Sequence, residues 1–359
     1  MITNTAILSL LPVRPLFGIV LTSIQYINNN MVEGFGGDRR DRSALDIWLD
    51  TEFNEQYNRQ YETLNKLGLL DILPISGEMG VIGIDNKEYP IPSKELLRQM
   101  IESEREKYEL KISQGFTRFQ LTPLALPVDT LIKIAEEKIK ERFKQHKLLA
   151  TKKNRDEPDE LLDLDTDQPI FVWDNWRGSD KNGQCQYYPD NFDQTNHNGH
   201  SKQEILDAQT NAKNKGQLVS AGWNAILLEP NLNIPRQGKG QIKGKRKQLE
   251  TNQTPKEYKN ILKTDQQYQH EQGLTSEDWL TLLLIQLEQT GEVIDDYQGK
   301  GSADFLIESF YPASVRLGYG YWSRDYRLAY LDGRGPWVQS SGFGLRSAVG
   351  LGQKLKFDN

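Results

Sequence analysis

Cysteine is nearly absent from this chain: Cys185 stands alone among 359 residues. That excludes an internal disulfide framework and leaves the chain able to fold in a reducing compartment, although an unpaired cysteine does not exclude export. Long apolar runs are missing too. Ile7 to Ile27 is fairly apolar, but Pro12, Arg14 and Pro15 interrupt it, so no spanning helix is expected there or elsewhere. The start Met-Ile-Thr-Asn-Thr lacks the positive charge of a secretory signal. Residues 1–30 are therefore read as a loosely ordered leader, or as sequence upstream of a functional start at Met31. The compartment stays unknown: the lack of a clear signal points to the cytoplasm, with display on a cell surface or virion left open. Charge is not extreme either, at a formal net of -6 with 26% charged residues. This argues against nucleic acid as the whole-protein partner.

At this length the chain is expected to form two domains and a linker. Leu45, Leu49, Phe53, Tyr57, Tyr61 and Leu64 recur at helical spacing over 44–67, with Gly68 as a stop. Strands are expected over 81–84 and 88–91, a Ser93-capped helix over 94–110, a strand over 116–121 and an amphipathic helix over 128–143. Residues 31–150 thus read as an α+β module of unknown role. The charged stretch over 151–168 reads as a linker or extended crossing segment. Beyond it, strands are expected over 169–173 and 221–229. Ser201, Thr254 and Thr275 each precede an acid three residues on, which predicts helices near 202–214, 255–271 and 276–290.

The second conspicuous absence is local. Between Ser309 and Gln353 there is neither lysine nor glutamate, while Gly, Tyr, Ser, Arg and Trp abound. Tyr offers stiff amphipathic area, Ser and Gly adaptable polar contacts, and Arg planar donors. That is the composition of a recognition surface. A β-rich core with tight turns would also enrich aromatics and glycine, so composition alone leaves both readings open.

Motif order separates them. Tyr321-Trp322-Ser323-Arg324-Asp325, then Arg327-Leu328-Ala329-Tyr330-Leu331, then Gly344-Leu345-Arg346-Ser347-Ala348-Val349 resembles the end of C-type-lectin domains related to formylglycine-generating enzymes. Leu345 stands where Phe is commoner. Thr275-Ser-Glu-Asp-Trp279 resembles a helix start of the same fold. More narrowly, EDWL, VIDDYQGKGS, FYPAS and YWSRDYRLAYL resemble variable proteins of diversity-generating retroelements. The resemblance covers roughly residues 168–352. It implies an α+β chain with a C-type-lectin-like C-terminal domain over 169–356, preceded by the smaller module. It also implies a hypervariable, non-enzymatic ligand-binding protein, rewritten at template adenines over about 314–346. Such rewriting yields Tyr, Ser, Gly, Asp and Arg but not Lys, Glu, Gln, Trp or Met. The exposed variable set would be Gly318, Tyr319, Tyr321, Ser323, Tyr326, Arg334, Ser340 and Ser341, binding an unknown protein or surface ligand. Trp322, Arg327, Ala329, Leu345 and Val349 would be scaffold. No cofactor or metal is expected, and oligomerisation is left open.

Other chemistry is weaker. The formylglycine-generating enzymes need a cysteine pair near the C-terminus, which this chain lacks. An oxidoreductase relative, with a reactive thiol and copper or calcium dependence, remains an alternative, as does a structural phage or mobile-element protein. A Cys185–His197 pair is read as idle. His197 and His200 are read as a solvated loop rather than metal ligands. The run from Asp180 lacks the first and last ligands of an EF-hand, where Gly178 and Pro189 stand, though an irregular calcium site stays open. The basic run Arg236 to Lys247 is read as a solvated loop.

Overall fold

The computed structural model describes residues 42–152 and 156–352. The readings of a leader over 1–30 and of a start at Met31 lie outside the described residues, as do residues 353–356 of the expected C-terminal domain.

Local chemistry sets the helices where expected. Ser43 and Asp46 form a capping box that starts α1 (Ala44–Trp48). A π-helical turn, Leu49–Phe53, joins it to α2 (Asn54–Lys66). Gly68, at φ 71°, follows as the stop that the sequence suggests. β1 (Asp71–Ile72), β2 (Met79–Ile82) and β3 (Glu88–Pro90) make a small antiparallel sheet turning at Asn86, whose φ is 59°. Ser93 caps α3 (Lys94–Ser103), but this helix does not run on to residue 110. Glu104 leaves helical geometry, and α4 (Arg105–Ser113) restarts in a new direction. The break carries Lys107 and Tyr108 to the Gly350 carbonyl, at 3.0 Å each. β4 (Arg118–Thr122) and α5 (Val128–Lys144) complete the first half.

In the second half β5 (Ile170–Val172) and β6 (Gln186–Tyr187) precede α6 (Lys202–Asn214) and β7 (Asn224–Leu228). A short hairpin, β8 (Ile242–Lys243) with β9 (Arg246–Lys247), leads to α7 (Pro255–Thr264). That helix is shorter than the expected 255–271, because the Asp265 side chain accepts from Gln267 N and starts a separate 3-10 turn. α8 (Ser276–Thr290) is buried on every side from Ser276 to Glu288, with Trp279, Leu280, Leu283, Leu284 and Leu287 in the core and the acids Glu277 and Glu288 paired with Lys202 and Arg142. β10 (Ala303–Tyr311), β11 (Arg316–Ser323), β12 (Leu328–Arg334), β13 (Phe343–Gly344) and β14 (Ala348–Gly350) follow.

The chain is mixed α+β. Its main sheet runs β13-β10-β11-β12-β5, with β6 paired to β10, and α8 packs on its inner face. A second sheet, β14-β7-β4, joins strands from opposite ends of the sequence. This corrects the expected division into a module ending near residue 150 and a separate C-terminal domain. β4 hydrogen-bonds along β7, α5 packs on α8, and residues from Ser43 onward make one compact unit with a shared core. The charged stretch near 156–168 crosses that unit, burying Leu162 and Leu164.

One buried acid links the two halves. Glu288, its side chain 3% exposed, faces Lys66, Lys138 at 2.9 Å and Arg142 at 2.7 Å. Burial pushes its carboxyl up, but the three cations outweigh burial and hold it at about 2 against an ordinary 4.5. Its folded value lies below its unfolded one, so its contribution is present above pH 4.5 and is lost as pH falls towards 2. Screening through exposed Lys66 limits that contribution to the order of 2 kcal/mol. Glu288→Gln should flatten this part of the urea-midpoint-versus-pH curve; an unchanged slope would refute the assignment.

Candidate ligand-binding face

β11 alternates strictly. Gly318, Gly320 and Trp322 point inward, and Tyr319 and Tyr321 point outward. The inward glycines let indoles lie on the strand: a Cβ at Gly320 would sit 2.4 Å from Trp279 Cε2, and one at Gly318 would sit 3.1 Å from the Trp176 ring. The register to β12 places Tyr330 opposite Tyr321 and Asp332 opposite Tyr319, and β5 places Phe171 opposite Tyr330.

These outer residues make one aromatic field. Tyr321 and Tyr330 stack at 4.7 Å with 12° between planes. Phe171 lies 5.0 Å from Tyr330, Tyr326 5.9 Å from Tyr330, and Tyr297 5.8 Å from Tyr321. The Arg334 guanidinium sits 5.2 Å from the Tyr319 ring and 3.5 Å from Asp332. Burial raises the hydroxyls of Tyr321 and Tyr330 further above their ordinary range, so both remain protonated donors.

One half of this outer face is covered. Tyr258 of α7, Phe192, Phe305, Phe310, Leu317 and Leu345 form a second cluster that buries Tyr319. The other half is open, and the loop after β12 carries Trp337, 68% exposed, over Gly335. Arg236 holds this rim, donating to the carbonyls of Ser341 at 2.9 Å, Gly301 at 2.9 Å and Tyr297 at 3.1 Å.

The structure therefore divides the expected variable set. Tyr326 and Ser341 are exposed, and Tyr321, Arg334 and Ser340 are half-buried at the open face. Gly318, Tyr319 and Ser323 are buried and are corrected to scaffold. Gly318 fails because it faces inward, Tyr319 because the second cluster covers it, and Ser323 because its Oγ turns to Gln298 Oε1 at 3.1 Å. Among the expected scaffold residues Trp322, Ala329, Leu345 and Val349 are buried. Arg327 is not. It lies exposed in the β11–β12 turn at φ 57° and pairs with Asp163 at 2.9 Å.

Tyr330, Phe171, Tyr297 and Trp337 do not stand out as site residues in the sequence. Tyr330 carries a usable signal, because pairing about the turn at 324–327 sets it against Tyr321. Phe171 and Tyr297 carry none, since distant segments deliver them.

The remaining sequence candidates are dispersed. Cys185 is fully buried, and burial pushes its thiol far above the ordinary range. His197 Nδ1 accepts from Gly199 N at 2.9 Å, and its ring lies 5.8 Å from Phe310. Asp180 is buried against Lys202 at 2.7 Å. The basic run is not wholly a solvated loop. Besides Arg236, it supplies Arg246, buried between Phe116 and Tyr268 and bonded to both oxygens of Glu271 at 2.7 Å. Among the described residues no cluster of three or more His, Cys, Asp or Glu is placed to hold a metal, and no helix is long and apolar enough to cross a membrane.

The chain matches no known family model, no curated protein and no solved structure.

Proposed function

We propose that this chain is a ligand-binding protein with a C-type-lectin-like C-terminal part, diversified by a retroelement, whose ligand is a protein surface. The observation that carries the reading is the open half of the outer sheet face. Tyr321, Tyr326 and Tyr330 sit beside Arg334 on strands whose other face is core, and the segment bearing them has no lysine or glutamate. Rigid tyrosines on a sheet backed by packed indoles are pre-organised, so little entropy is lost when they meet a partner. The face is the side of a sheet, which suits a protein surface better than a small molecule. Side chains there can change without altering the core behind them.

Deep sequencing of the locus in its native population, with the flanking few kilobases, tests this. Differences should fall at the codons for Tyr321, Tyr326, Tyr330, Arg334, Ser340 and Ser341, matched to adenines in a nearby near-copy. Those for Gly318, Tyr319 and Ser323 should stay constant. An invariant 3′ end without a template copy would refute diversification. Variation concentrated at the buried positions would refute the face.

A further inference from the structure

Three ionisable side chains meet in the interior beside β6: Lys202 at the start of α6, Asp180 in the turn before β6, and Glu277 at the start of α8. All three side chains are 0% exposed. Lys202 Nζ lies 2.7 Å from Asp180 Oδ2, 2.8 Å from Glu277 Oε1 and 2.8 Å from the Leu126 carbonyl. Fully buried lysines are rare, and withdrawing such a cluster from water is costly. Aromatic groups close it off. Nζ is 5.8 Å from the Tyr187 ring, the Tyr187 hydroxyl donates to Glu277 Oε1 at 2.6 Å, and Tyr311 packs against Trp176 nearby. The cluster holds two carboxyl groups against one ammonium, and Glu277 Oε2 is buried with no hydrogen-bond partner. The Asp180 carboxyl receives Val128 N–H at 2.8 Å on Oδ2 and Lys181 N–H at 3.0 Å on Oδ1.

We propose that Lys202 and Asp180 join in an isopeptide bond, with Glu277 as the proton carrier. The ammonium passes a proton to Glu277, and the freed amine attacks Asp180 Cγ. The Nζ–Cγ bond forms while the Val128 and Lys181 amides hold the carboxyl oxygens of the tetrahedral intermediate. Glu277 returns its proton to the departing oxygen, takes the second hydrogen from Nζ of the intermediate and delivers it to the same oxygen, and the Cγ–O bond breaks. Both hydrogens that Nζ loses leave with that oxygen as one water, so no oxidant, reductant or activating group is consumed. Amide formation is unfavourable in bulk water. Here the reacting groups are held in contact and water is excluded, the two conditions that favour condensation. Burial pulls the Lys202 ammonium down, but Glu277 and Asp180 outweigh it and keep it charged, so transfer to Glu277 gates the reaction.

The bond would tie the start of α6 to the turn before β6, closing the loop whose strand β6 pairs with β10. A chain with one cysteine cannot make such a link with a disulfide.

The test is the intact mass of the full-length protein after prolonged incubation in its folded state, followed by a tryptic map. The expected mass is that of the sequence less one water. Trypsin should fail to cut after Lys202 and should release a branched peptide joining residues 178–181 to residues 182–213. The full sequence mass would overturn the proposal. So would a lost water that maps to a cyclic imide at Asp180 with Lys202 free. Glu277→Gln should restore the full mass with an unchanged far-ultraviolet circular dichroism spectrum, and a branched peptide in that variant would remove Glu277 from the mechanism. If Glu277→Gln does not fold, Glu277→Asp replaces it, and the wild-type map decides the bond in either case.

Discussion

Arg346→Met is expected to destabilise the fold by about 3–5 kcal/mol, the cost of leaving buried charges without their partner. Arg346 sits between Asp295 at 2.6 Å and Asp304 at 2.7 Å, and its Nη2 also donates to the Leu232 carbonyl at 2.6 Å. Trp279 Nε1 donates to Asp295 at 2.8 Å, so this cluster pins the central helix to the main sheet. Burial pushes both carboxyls up, and Arg346 opposes that shift. Without the guanidinium both would be raised further above their unfolded values. The variant should then be most stable below the unfolded carboxyl pKa and should lose stability as pH rises through the folded one. The triple variant Arg346→Met, Asp295→Asn, Asp304→Asn should recover most of the loss, because no buried charge remains. Urea melts at two pH values check all three expectations. A single variant as stable as wild type would show that the cluster does not hold the sheet to the helix.

Tyr319→Ala is expected to cost about 3–5 kcal/mol and Tyr326→Ala less than about 0.5 kcal/mol, although both are tyrosines of one glycine-rich segment. Tyr319 is 1% exposed, with Phe305 at 5.7 Å, Phe343 at 5.0 Å and Arg334 over its ring. Its removal leaves a cavity that rigid neighbours cannot close. Tyr326 is 63% exposed at the tip of the β11–β12 turn and has one ring neighbour, Tyr330. Thermal melts of the two single variants separate the scaffold from the open face. Equal effects would mean that the boundary drawn across the sheet is wrong.

Elements whose cause is local are legible in the sequence. The capping boxes at Ser201, Thr254 and Thr275 lie within three residues of the groups they satisfy, and each starts a helix where expected. The helical spacing over 44–67 that marks α1 and α2 is equally plain. The end of α7 is not, because Asp265 competes with the helix for backbone donors. The break at Glu104 is hidden for a different reason: the groups it serves include Gly350, at the far end of the chain.

The same division runs through the candidate site. Composition singles out the segment that carries the candidate face, since a stretch free of lysine and glutamate but rich in Tyr, Ser, Gly and Arg differs from the rest of the chain. It does not say which tyrosines lie on the open half of the outer face. That depends on α7 and its neighbours covering one half of the outer face, and on β5 and the 295–301 segment bringing Phe171 and Tyr297 to the other.

By itself, then, the sequence determined the helix starts and the helical spacing over 44–67, because these follow from hydrogen bonds and side-chain periodicity within a few residues. Tertiary structure alone decided the union of β4, β7 and β14 in one sheet, the buried role of Tyr319 and the meeting of Lys202 with Asp180 and Glu277. Each of these depends on which distant surfaces exclude water from one another, and no short window of residues carries that information.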